Sequence, residues 1–391
     1  MASPILDITE PSFNIPISRL PLDTPLSGFT LLQHDQERAK YLLSRGNDPL
    51  EKRTASINVT NVGTTYVASV GVGTPATTYS LLIDTGSSNT WVGASKKYVQ
   101  TSSSKSTGNS VKVTYGSGSF SGTEYTDTVT LSQPLAIRGQ SIGVAANSMG
   151  FSAPLDGILG IGPVGLTRGT VGNTPTVPTV TDNLKSQGTI STEVIGISYE
   201  PTASGAVTNG ELTFGGVDSM KYTGSISYNP ITSTSPAGLY WGINQNIQYG
   251  STTVLSSTAG IVDTGTTLVL LATDAFQRYK TATGATRDSN TGLLTITNAQ
   301  YNALKNLDFS ANGVTYSLTP NAQIWPRTLN TAIGGTASGI YLVVSDLGSH
   351  SGNGLDFIMG YTFLERFYSV YDTTNKRVGF ATTKYTTSTN N

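Results

Sequence analysis

Cysteine is absent from this chain of 391 residues. The sequence therefore holds no disulfide, no zinc–thiolate site and no thiol nucleophile. A chain of this length buries a large core without needing disulfides, so the absence leaves the redox compartment open.

Histidine is also scarce, with only His34 and His350. Two isolated histidines do not favour a His-based metal site, and neither lies near a G-x-S-x-G sequence that would mark a Ser-His-Asp triad. We expect both to be structural or surface residues, and we expect no metal and no cofactor.

Charge is low: 12% of the residues are charged and the formal net charge is −1. With no basic tract beyond a dipeptide, nucleic acid and anionic membranes are not expected partners. No apolar run is long enough to span a membrane. The N-terminal residues lack a basic region followed by an apolar one, so a signal peptide is not part of the sequence as it stands.

Glycine, serine and threonine are abundant, with 43 Gly. Short apolar runs are broken by Gly, Asn and Ser-Thr clusters, a pattern that favours an all-β protein. Residues 1–53 differ, because they contain most of the helix-like sequence. Within 29–45, apolar residues recur at roughly helical spacing and are Leu31, Leu32, Ala39, Leu42 and Leu43.

A dibasic pair, Lys52-Arg53, ends this leading segment, and strand-like sequence follows it. The coincidence of the pair with the change in composition favours a proteolytic processing site over an exposed linker with two chance basic residues. We therefore treat 1–53 as a separate segment.

The remaining chain contains a weak internal duplication. LLIDTGSS at 81–88 is followed by LDGILG at 155–160, and GIVDTGTT at 260–267 is followed by LDFIMG at 355–360. The repeated order predicts two similar lobes related by a pseudo-twofold axis. With a boundary near Tyr222, the lobes are 54–221 and 222–391.

Such an axis would bring Asp84 and Asp263 together. Two carboxylates at hydrogen-bonding distance do not both ionise readily, so the pair holds one proton. One member acts as a base toward water while the other donates to a carbonyl oxygen, which hydrolyses an amide without metal or histidine. Glycines allow the tight turns, threonines link the loops, and outer hydroxyls reach the carboxylates. These supporting residues are Thr85, Gly86, Ser87, Thr264, Gly265 and Thr266.

Both turns resemble those of the pepsin-like aspartic proteases. VTYGSGS at 113–119 resembles the flap of that family, SSNTWV at 87–92 contains its tryptophan, and YD followed by VGFA at 371–381 resembles its ending. The cysteine-free, Ser/Thr-rich composition is similar to that of the fungal members, in particular the polyporopepsin-like enzymes of basidiomycetes. The resemblance covers about residues 60–385. It implies an all-β, bilobal fold with a deep cleft that binds an extended polypeptide.

The resemblance also implies roles for residues around the cleft. Tyr115 would close over the substrate and accept a hydrogen bond from Trp91. Ser117 stands where some fungal relatives carry Asp and accept lysine before the cleaved bond, so a weak preference for lysine is expected. The residues that the resemblance assigns to the flap and the primary subsites are Trp91, Tyr115, Gly116, Ser117, Phe120, Leu155 and Ile158.

Pepsin-like enzymes are made as zymogens, and residues 1–53 resemble a propeptide. The resemblance makes Lys40, followed by Tyr41, the residue expected between the two catalytic carboxylates. The alternative is that Lys40 is a solvated residue of a short helix. The segment holds six Lys or Arg and seven Asp or Glu, so overall charge attraction does not hold it in place.

Cellular location and assembly are less strongly indicated. Asn58-Val59-Thr60 is a glycosylation sequon and weak support for secretion. We expect a secreted glycoprotein, with a vacuolar location as the alternative, acting on polypeptides as a monomer.

Two other functions compete with proteolysis. Some plant proteins of this architecture inhibit glycosidases without catalysis, but such members commonly lose the paired aspartates. A structural β protein of a cell wall would not need two matched D-T-G turns. Both aspartates, both glycines and the flap tyrosine are present here, which favours an active aspartic endopeptidase that cleaves between apolar residues in acid.

Overall fold

The structure is a computed structural model that describes residues 12–19, 30–45, 65–203 and 206–391. Within those ranges, no helix is long and apolar enough to cross a membrane. The dibasic pair Lys52-Arg53 and the sequon at Asn58 lie outside the described residues.

Strands dominate the described chain, as the composition predicts. In chain order they are β1 (Phe13–Arg19), β2 (Tyr66–Val72), β3 (Thr77–Asp84), β4 (Thr90–Val92), β5 (Lys105–Thr114), β6 (Ser119–Thr130), β7 (Ala136–Met149), β8 (Gly157–Gly160), β9 (Val194–Ser198), β10 (Val207–Phe214), β11 (Thr223–Pro230), β12 (Gly242–Tyr249), β13 (Thr252–Val262), β14 (Val269–Leu271), β15 (Thr286–Arg287), β16 (Leu294–Thr295), β17 (Leu307–Ala311), β18 (Val314–Leu318), β19 (Val344–Asp346), β20 (Phe357–Met359), β21 (Phe367–Asp372) and β22 (Arg377–Thr382).

Helices are fewer and mostly short. The α-helices are α1 (Leu31–Ser44), α2 (Val180–Ser186), α3 (Thr273–Thr283), α4 (Asn298–Ala303) and α5 (Tyr361–Leu364). Single turns of 3-10 helix cover Val164–Thr167, Ala237–Leu239, Asn321–Gln323, Arg327–Leu329 and Thr331–Ile333.

Two large sheets organise the molecule. The first has 13 strands in the order β11-β22-β21-β9-β10-β1-β2-β3-β8-β4-β7-β6-β5, and the second has seven in the order β18-β17-β12-β13-β20-β14-β19. Strands β11, β21 and β22 come from the C-terminal half but pair within the first sheet, and these pairings join the two halves.

The pseudo-twofold relationship appears in the strands that carry the two D-T-G turns. β3 runs parallel to β8, which pairs antiparallel with β4. In the second half, β13 runs parallel to β20, which pairs antiparallel with β14. Asp84 is the last residue of β3, and Asp263 directly follows β13. Each aspartate thus lies at the end of the first strand of a three-strand unit. The two units are equivalent, and this places the two turns face to face.

Strand β1 belongs to the leading segment and lies inside the first sheet, between β10 and β2. Ile15 and Ile17 alternate with more exposed neighbours and are buried in the main core. We predicted only helix in residues 1–53. The alternation Phe13, Ile15, Ile17 was the available signal for a strand.

Candidate active site

Asp84 and Asp263 are brought together at the interface of the two halves, and both side chains are fully buried. One nitrogen, Nη2 of Arg38, donates to Oδ1 of Asp84 at 2.6 Å and to Oδ1 of Asp263 at 2.9 Å. The two carboxylates therefore lie within two hydrogen-bond lengths of each other. This is the juxtaposition that the repeated motif predicts.

The first turn supplies two donors to its own carboxylate. The backbone N–H of Gly86 donates to Oδ1 of Asp84 at 2.9 Å, and the Ser87 hydroxyl donates to Oδ2 at 2.5 Å. The two carboxylate oxygens of Asp84, Oδ1 and Oδ2, are thus held by different groups.

The second turn repeats the arrangement. The backbone N–H of Gly265 donates to Oδ1 of Asp263 at 3.1 Å, and the Thr266 hydroxyl donates to Oδ2 at 2.5 Å. Serine and threonine are interchangeable here because only the hydroxyl is used. The matched contacts hold the two carboxylates in equivalent orientations.

Thr85 and Thr264 link the two turns beneath the carboxylates. The N–H of each residue donates to the hydroxyl of the other, at 3.0 Å for Thr85 and 2.9 Å for Thr264. Their hydroxyls in turn donate across the axis to the carbonyl oxygens of Val262 and Ile83. Four buried hydrogen bonds thereby fix one half of the site against the other.

Glycine is required in both turns because the opposite carboxylate approaches so closely. A Cβ on Gly86 would lie 2.6 Å from Oδ1 of Asp263, and a Cβ on Gly265 would lie 2.7 Å from Oδ1 of Asp84. Either methyl group would force the pair apart or displace Arg38.

The pKa values of the two carboxyls move in opposite directions. Burial raises the pKa of Asp84, with a further increase from the charge of Asp263, against the opposing charge of Arg38. Burial also acts to raise the pKa of Asp263, but the charge and hydrogen bonds of Arg38 outweigh it and lower that pKa. The guanidinium therefore favours the ionised form of Asp263, whereas Asp84 is the more readily protonated member of the pair.

The flap is the hairpin formed by β5 and β6. Its turn is closed by a hydrogen bond from the N–H of Tyr115 to the carbonyl of Gly118 at 2.7 Å. Gly116 has a φ of +78°, which glycine adopts without strain. Tyr115 is buried beneath this turn, and burial and the charge of Asp84 raise its pKa well above the ordinary value.

Aromatic side chains form one wall of the cleft. Trp91 stacks on Phe120 with ring centroids 4.3 Å apart, and Phe151 packs edge-on against Trp91 at 4.9 Å and against Tyr115 at 5.8 Å. Sequence reasoning missed Phe151, an aromatic residue four positions before the predicted subsite residue Leu155. The cluster also contains Leu155 and Ile158.

Trp91 and Tyr115 interact through their side chains: hydrogen bonding to Trp91 acts to lower the pKa of Tyr115, against the larger opposing effect of burial. Both side chains are buried, and α1 fills the cleft beneath the flap. The hydrogen bond between Trp91 and Tyr115 remains a prediction.

Ser117 lies at the flap turn and is 7% exposed. It lines a small cavity with Arg38, Gly150 and Phe151. The predicted flap residue thus borders a cavity that Arg38 and Gly265 of the second turn also line.

Helix α1 occupies the cleft. Thr30 caps its N-terminus by accepting from the N–H of Gln33, whose side chain accepts from the N–H of Thr30. One face of the helix is buried and consists of Leu31, Leu32, Asp35, Arg38, Ala39 and Leu42.

Arg38, not Lys40, lies between the carboxylates. Its Nε donates to Oδ2 of Asp263 at 2.7 Å, in addition to the two Nη2 contacts, and its side chain is 5% exposed. Lys40 is 76% exposed, and its nearest ion-pair partner is Glu37 at 4.0 Å. The expectation for Lys40 was wrong because a shift of two residues turns a side chain about 200° around a helix.

Tyr41 packs against the flap, and Lys40, which precedes it, is not the residue that lies between the carboxylates. A Cβ on Gly116 would overlap the Glu37 carbonyl and lie 2.8 Å from the Tyr41 Cβ. Burial raises the pKa of Tyr41. The residue therefore helps to hold the flap over α1.

A second anchor of α1, Asp35, was also missed. Its Oδ2 accepts from the backbone N–H groups of Thr267 at 3.1 Å and Leu268 at 2.8 Å, and His34 lies 3.3 Å from Oδ1. Asp35 is completely buried. The position of Asp35 on the apolar face of the helix, three residues before Arg38, could have indicated in the sequence that its side chain is buried.

No group of three or more His, Cys, Asp or Glu side chains is arranged to hold a metal ion in the ranges described above. The groups that surround the paired carboxylates are hydroxyls and backbone N–H groups, which suits proton transfer.

A sequence profile of the family described as eukaryotic aspartyl protease matches residues 65–383. The chain belongs to this family. It is similar to polyporopepsin of Irpex lacteus, with 67% identity over 339 residues that cover 86% of this chain and 99% of the relative. It is also similar to cathepsin E of Rattus norvegicus, with 32% identity over 334 residues that cover 81% of this chain and 79% of the relative.

Among solved structures, an aspartic proteinase from Irpex lacteus superposes with a TM-score of 0.84 at 59% sequence identity, covering 97% of this chain and 100% of that chain. The eukaryotic aspartyl proteases share the bilobal fold seen here. The chain is accordingly an aspartic endopeptidase that hydrolyses peptide bonds in polypeptides, and the alternative of a non-catalytic binding protein is not favoured.

Proposed function

We propose that the chain is the inactive precursor of an aspartic endopeptidase that works in acid, and that residues 1–53 are its prosegment. The observation that carries this proposal is the contact of Arg38 with both Asp84 and Asp263, at 2.6 and 2.7 Å. No polypeptide substrate can reach the carboxylates while the guanidinium lies between them.

The proposed catalytic groups are Asp84 and Asp263. Without Arg38, two buried carboxyls this close hold one proton between them. The ionised member takes a proton from a water molecule as that water attacks the scissile carbonyl, and the protonated member donates to the carbonyl oxygen. The glycine N–H groups and the outer hydroxyls keep both carboxylates in position throughout.

Cleavage is proposed to occur between apolar residues. The support is the wall of Trp91, Phe120 and Phe151 beside the carboxylates, together with the buried Leu155 and Ile158. Apolar walls favour apolar side chains because burial removes their surface from water. Tyr115 would close this wall over the substrate.

Acid is proposed to release the prosegment by protonating its partners. The pKa of Arg38 is raised by Asp263 and Asp84 even though burial lowers it, so the guanidinium stays charged throughout the acidic range. Only protonation of the carboxyls weakens the contact. The inhibited state is therefore stable above the carboxyl pKa values and is lost as the pH falls through them.

Other parts of the proposal rest on the sequence. Processing is placed at Lys52-Arg53, and the lobes are 54–221 and 222–391. The processed enzyme is proposed to act as a secreted monomer, glycosylated at Asn58, with a vacuolar location as the alternative.

The test uses the full chain and a peptide with two adjacent apolar residues. Hydrolysis is measured from about pH 2 to about pH 7, before and after acid treatment, with and without a statine inhibitor. Asp84→Asn and Asp263→Asn are the active-site variants, and Asp308→Asn, a change at a half-buried carboxyl of β17 that accepts from the Ser317 hydroxyl, is the matched control. The masses of the products locate the processing site.

We expect hydrolysis only after acid treatment, blocked by the inhibitor, lost in both active-site variants and retained in Asp308→Asn. Full activity before acid treatment would overturn the precursor proposal. Activity that persists in Asp84→Asn or Asp263→Asn would overturn the assignment of the catalytic pair.

A further inference from the structure

Residues 162–173 form a loop that joins the first D-T-G turn to the flap. At the start of the loop, the backbone N–H of Gly162 donates to the carbonyl oxygen of Ser87 at 2.7 Å. The Ser88 hydroxyl donates to the carbonyl oxygen of Pro163, also at 2.7 Å. Ser87 is the residue whose hydroxyl holds the first carboxylate. The start of the loop is therefore fixed to the turn that carries this carboxylate.

The far end of the loop pairs with β5, the first strand of the flap, through an isolated antiparallel bridge. The N–H of Lys112 donates to the carbonyl oxygen of Thr170 at 2.9 Å, and the N–H of Gly172 donates to that of Ser110 at 2.8 Å. A Cβ on Gly172 would lie 3.2 Å from the Ser110 hydroxyl oxygen. The loop and the flap strand are thus both hydrogen-bonded and closely packed at this point.

The pairing defines where the tip of the flap begins. Tyr115 lies three residues beyond Lys112, which at about 3.3 Å per residue is roughly 10 Å from the point at which the loop holds β5. The other arm, β6, pairs with β7 from Ser119 onward. The tip at 113–118 pairs with neither the loop nor β7, so the loop determines how far Tyr115 can move.

One buried hydroxyl, on Thr170, completes the connection between turn and flap. It accepts from the side-chain amide of Asn89 at 2.9 Å and donates to the carbonyl oxygen of Thr167 at 2.7 Å. Asn89 lies two residues after Ser87, and the side chains of Asn89 and Thr170 are both buried. Thr170 therefore holds the turn through its hydroxyl and the flap strand through its carbonyl group.

We propose that Asn89 and Thr170 are positioning residues that set the height of the flap above the paired carboxylates. This inference rests on the proposed closure of Tyr115 over the substrate. Loss of the Thr170 hydroxyl leaves the Asn89 amide buried without its acceptor and loosens the loop from the turn. The flap then samples more positions, and the affinity for substrate falls with the fraction of flaps that can close.

The experiment measures peptide hydrolysis by the processed enzyme, with the active sites titrated by a statine inhibitor. Thr170→Val removes the hydroxyl and keeps the shape of the side chain, whereas Thr170→Ser keeps the hydroxyl. Thr174→Val is the matched control, because the Thr174 hydroxyl donates to the carbonyl oxygen of Thr176 and its hydrogen bond stays beside the loop.

We expect Thr170→Val to raise KM and the dissociation constant of the inhibitor about five- to tenfold. The kcat per titrated site should stay within about twofold of the wild type, because flap closure contributes equally to the bound substrate and to the transition state. Thr170→Ser and Thr174→Val should match the wild type. Asn89→Ala should resemble Thr170→Val, and the double variant should be no worse than either, since both break one link.

Two results would overturn the proposal. The first is a Thr170→Val enzyme that loses thermal stability but keeps the wild-type KM and inhibitor affinity, since the hydroxyl would then be purely structural. The second is an equal rise of KM in Thr174→Val or in Thr170→Ser.

A second arm uses the full chain and needs no cleavage. Amide hydrogen exchange at Lys112, whose N–H donates to Thr170, should be about fivefold faster or more in Thr170→Val than in the wild type, with Thr174→Val unchanged. Unchanged exchange at Lys112 in Thr170→Val would show that β5 is held without the hydroxyl and would refute the link. Activity that persists in Asp84→Asn would count against the proposed function instead and would leave this arm readable.

Discussion

Arg38 binds Asp263 through two parallel hydrogen bonds, from Nε to Oδ2 at 2.7 Å and from Nη2 to Oδ1 at 2.9 Å. A guanidinium makes this paired contact and still reaches Asp84, whereas a lysine ammonium is a single point of charge. The inhibited state thus depends on the geometry of arginine as well as on its charge.

Arg38→Ala should activate at a higher pH than the wild type. Without the guanidinium, the buried carboxyls share a proton at higher pH, so less acid is needed to release α1. We expect the midpoint of acid activation to rise by about one pH unit or more, with Arg38→Lys between the two. The measurement is peptide hydrolysis after incubation at a series of pH values.

Lys40→Ala, on the exposed face of the same helix, is the matched control and should activate as the wild type does. A shifted midpoint in Lys40→Ala together with a normal one in Arg38→Ala would show that the helix is turned differently in solution.

Thr85→Val and Thr264→Val should weaken the link between the two halves. Each change removes one hydroxyl that accepts one buried hydrogen bond and donates another. We expect a loss of about 1–3 kcal/mol in the free energy of unfolding for each variant, and less than the sum in the double variant because the contacts are shared. Urea unfolding measures this.

Thr315→Val, at an exposed position on β18, serves as the control and should change stability by less than about 0.5 kcal/mol. Strictly additive losses in the double variant would show that the two threonines act independently.

Thr266→Val should shift the acid limb of the pH profile upward. The Thr266 hydroxyl donates to Oδ2 of Asp263 and helps to lower that pKa, so its removal lets the pKa rise. In the processed enzyme, the ionised carboxylate is then lost at a higher pH. We expect a lower kcat and an acid limb of kcat/KM displaced toward neutral pH.

The conservative change Thr266→Ser keeps the hydroxyl and should preserve the wild-type profile. An unshifted acid limb in Thr266→Val would indicate that this hydroxyl does not influence the proton shared by the pair.

Ser117→Asp should raise cleavage after lysine. Ser117 borders the cavity that Arg38 and Tyr115 also line and carries no charge, whereas an aspartate there would attract an ammonium group. We expect kcat/KM for a peptide with lysine before the scissile bond to rise about tenfold relative to a peptide with leucine there. Ser117→Asn, of similar size and uncharged, should give no such gain, and an equal gain in both would refute an electrostatic origin.

The sequence by itself determined the paired turns, because each D-T-G motif carries its carboxylate, its glycine and its outer hydroxyl within four residues. The helical spacing of apolar residues over 29–45 also predicted a helix, which the structure forms over Leu31–Ser44. The strand β1 could also have been predicted from the sequence pattern, because the apolar residues Ile15 and Ile17 occupy alternate positions and are the buried ones in the structure.

Only the tertiary structure decided which cation fills the site and which carboxylates are buried with a partner. Arg38 and Lys40 differ by two positions, and the face of α1 that enters the cleft selects between them. Arg19 meets Glu365 across 346 residues of sequence, and Asp35 meets Leu268 across 233. Contacts of this kind depend on packing between distant segments, and local residue patterns carry no information about them.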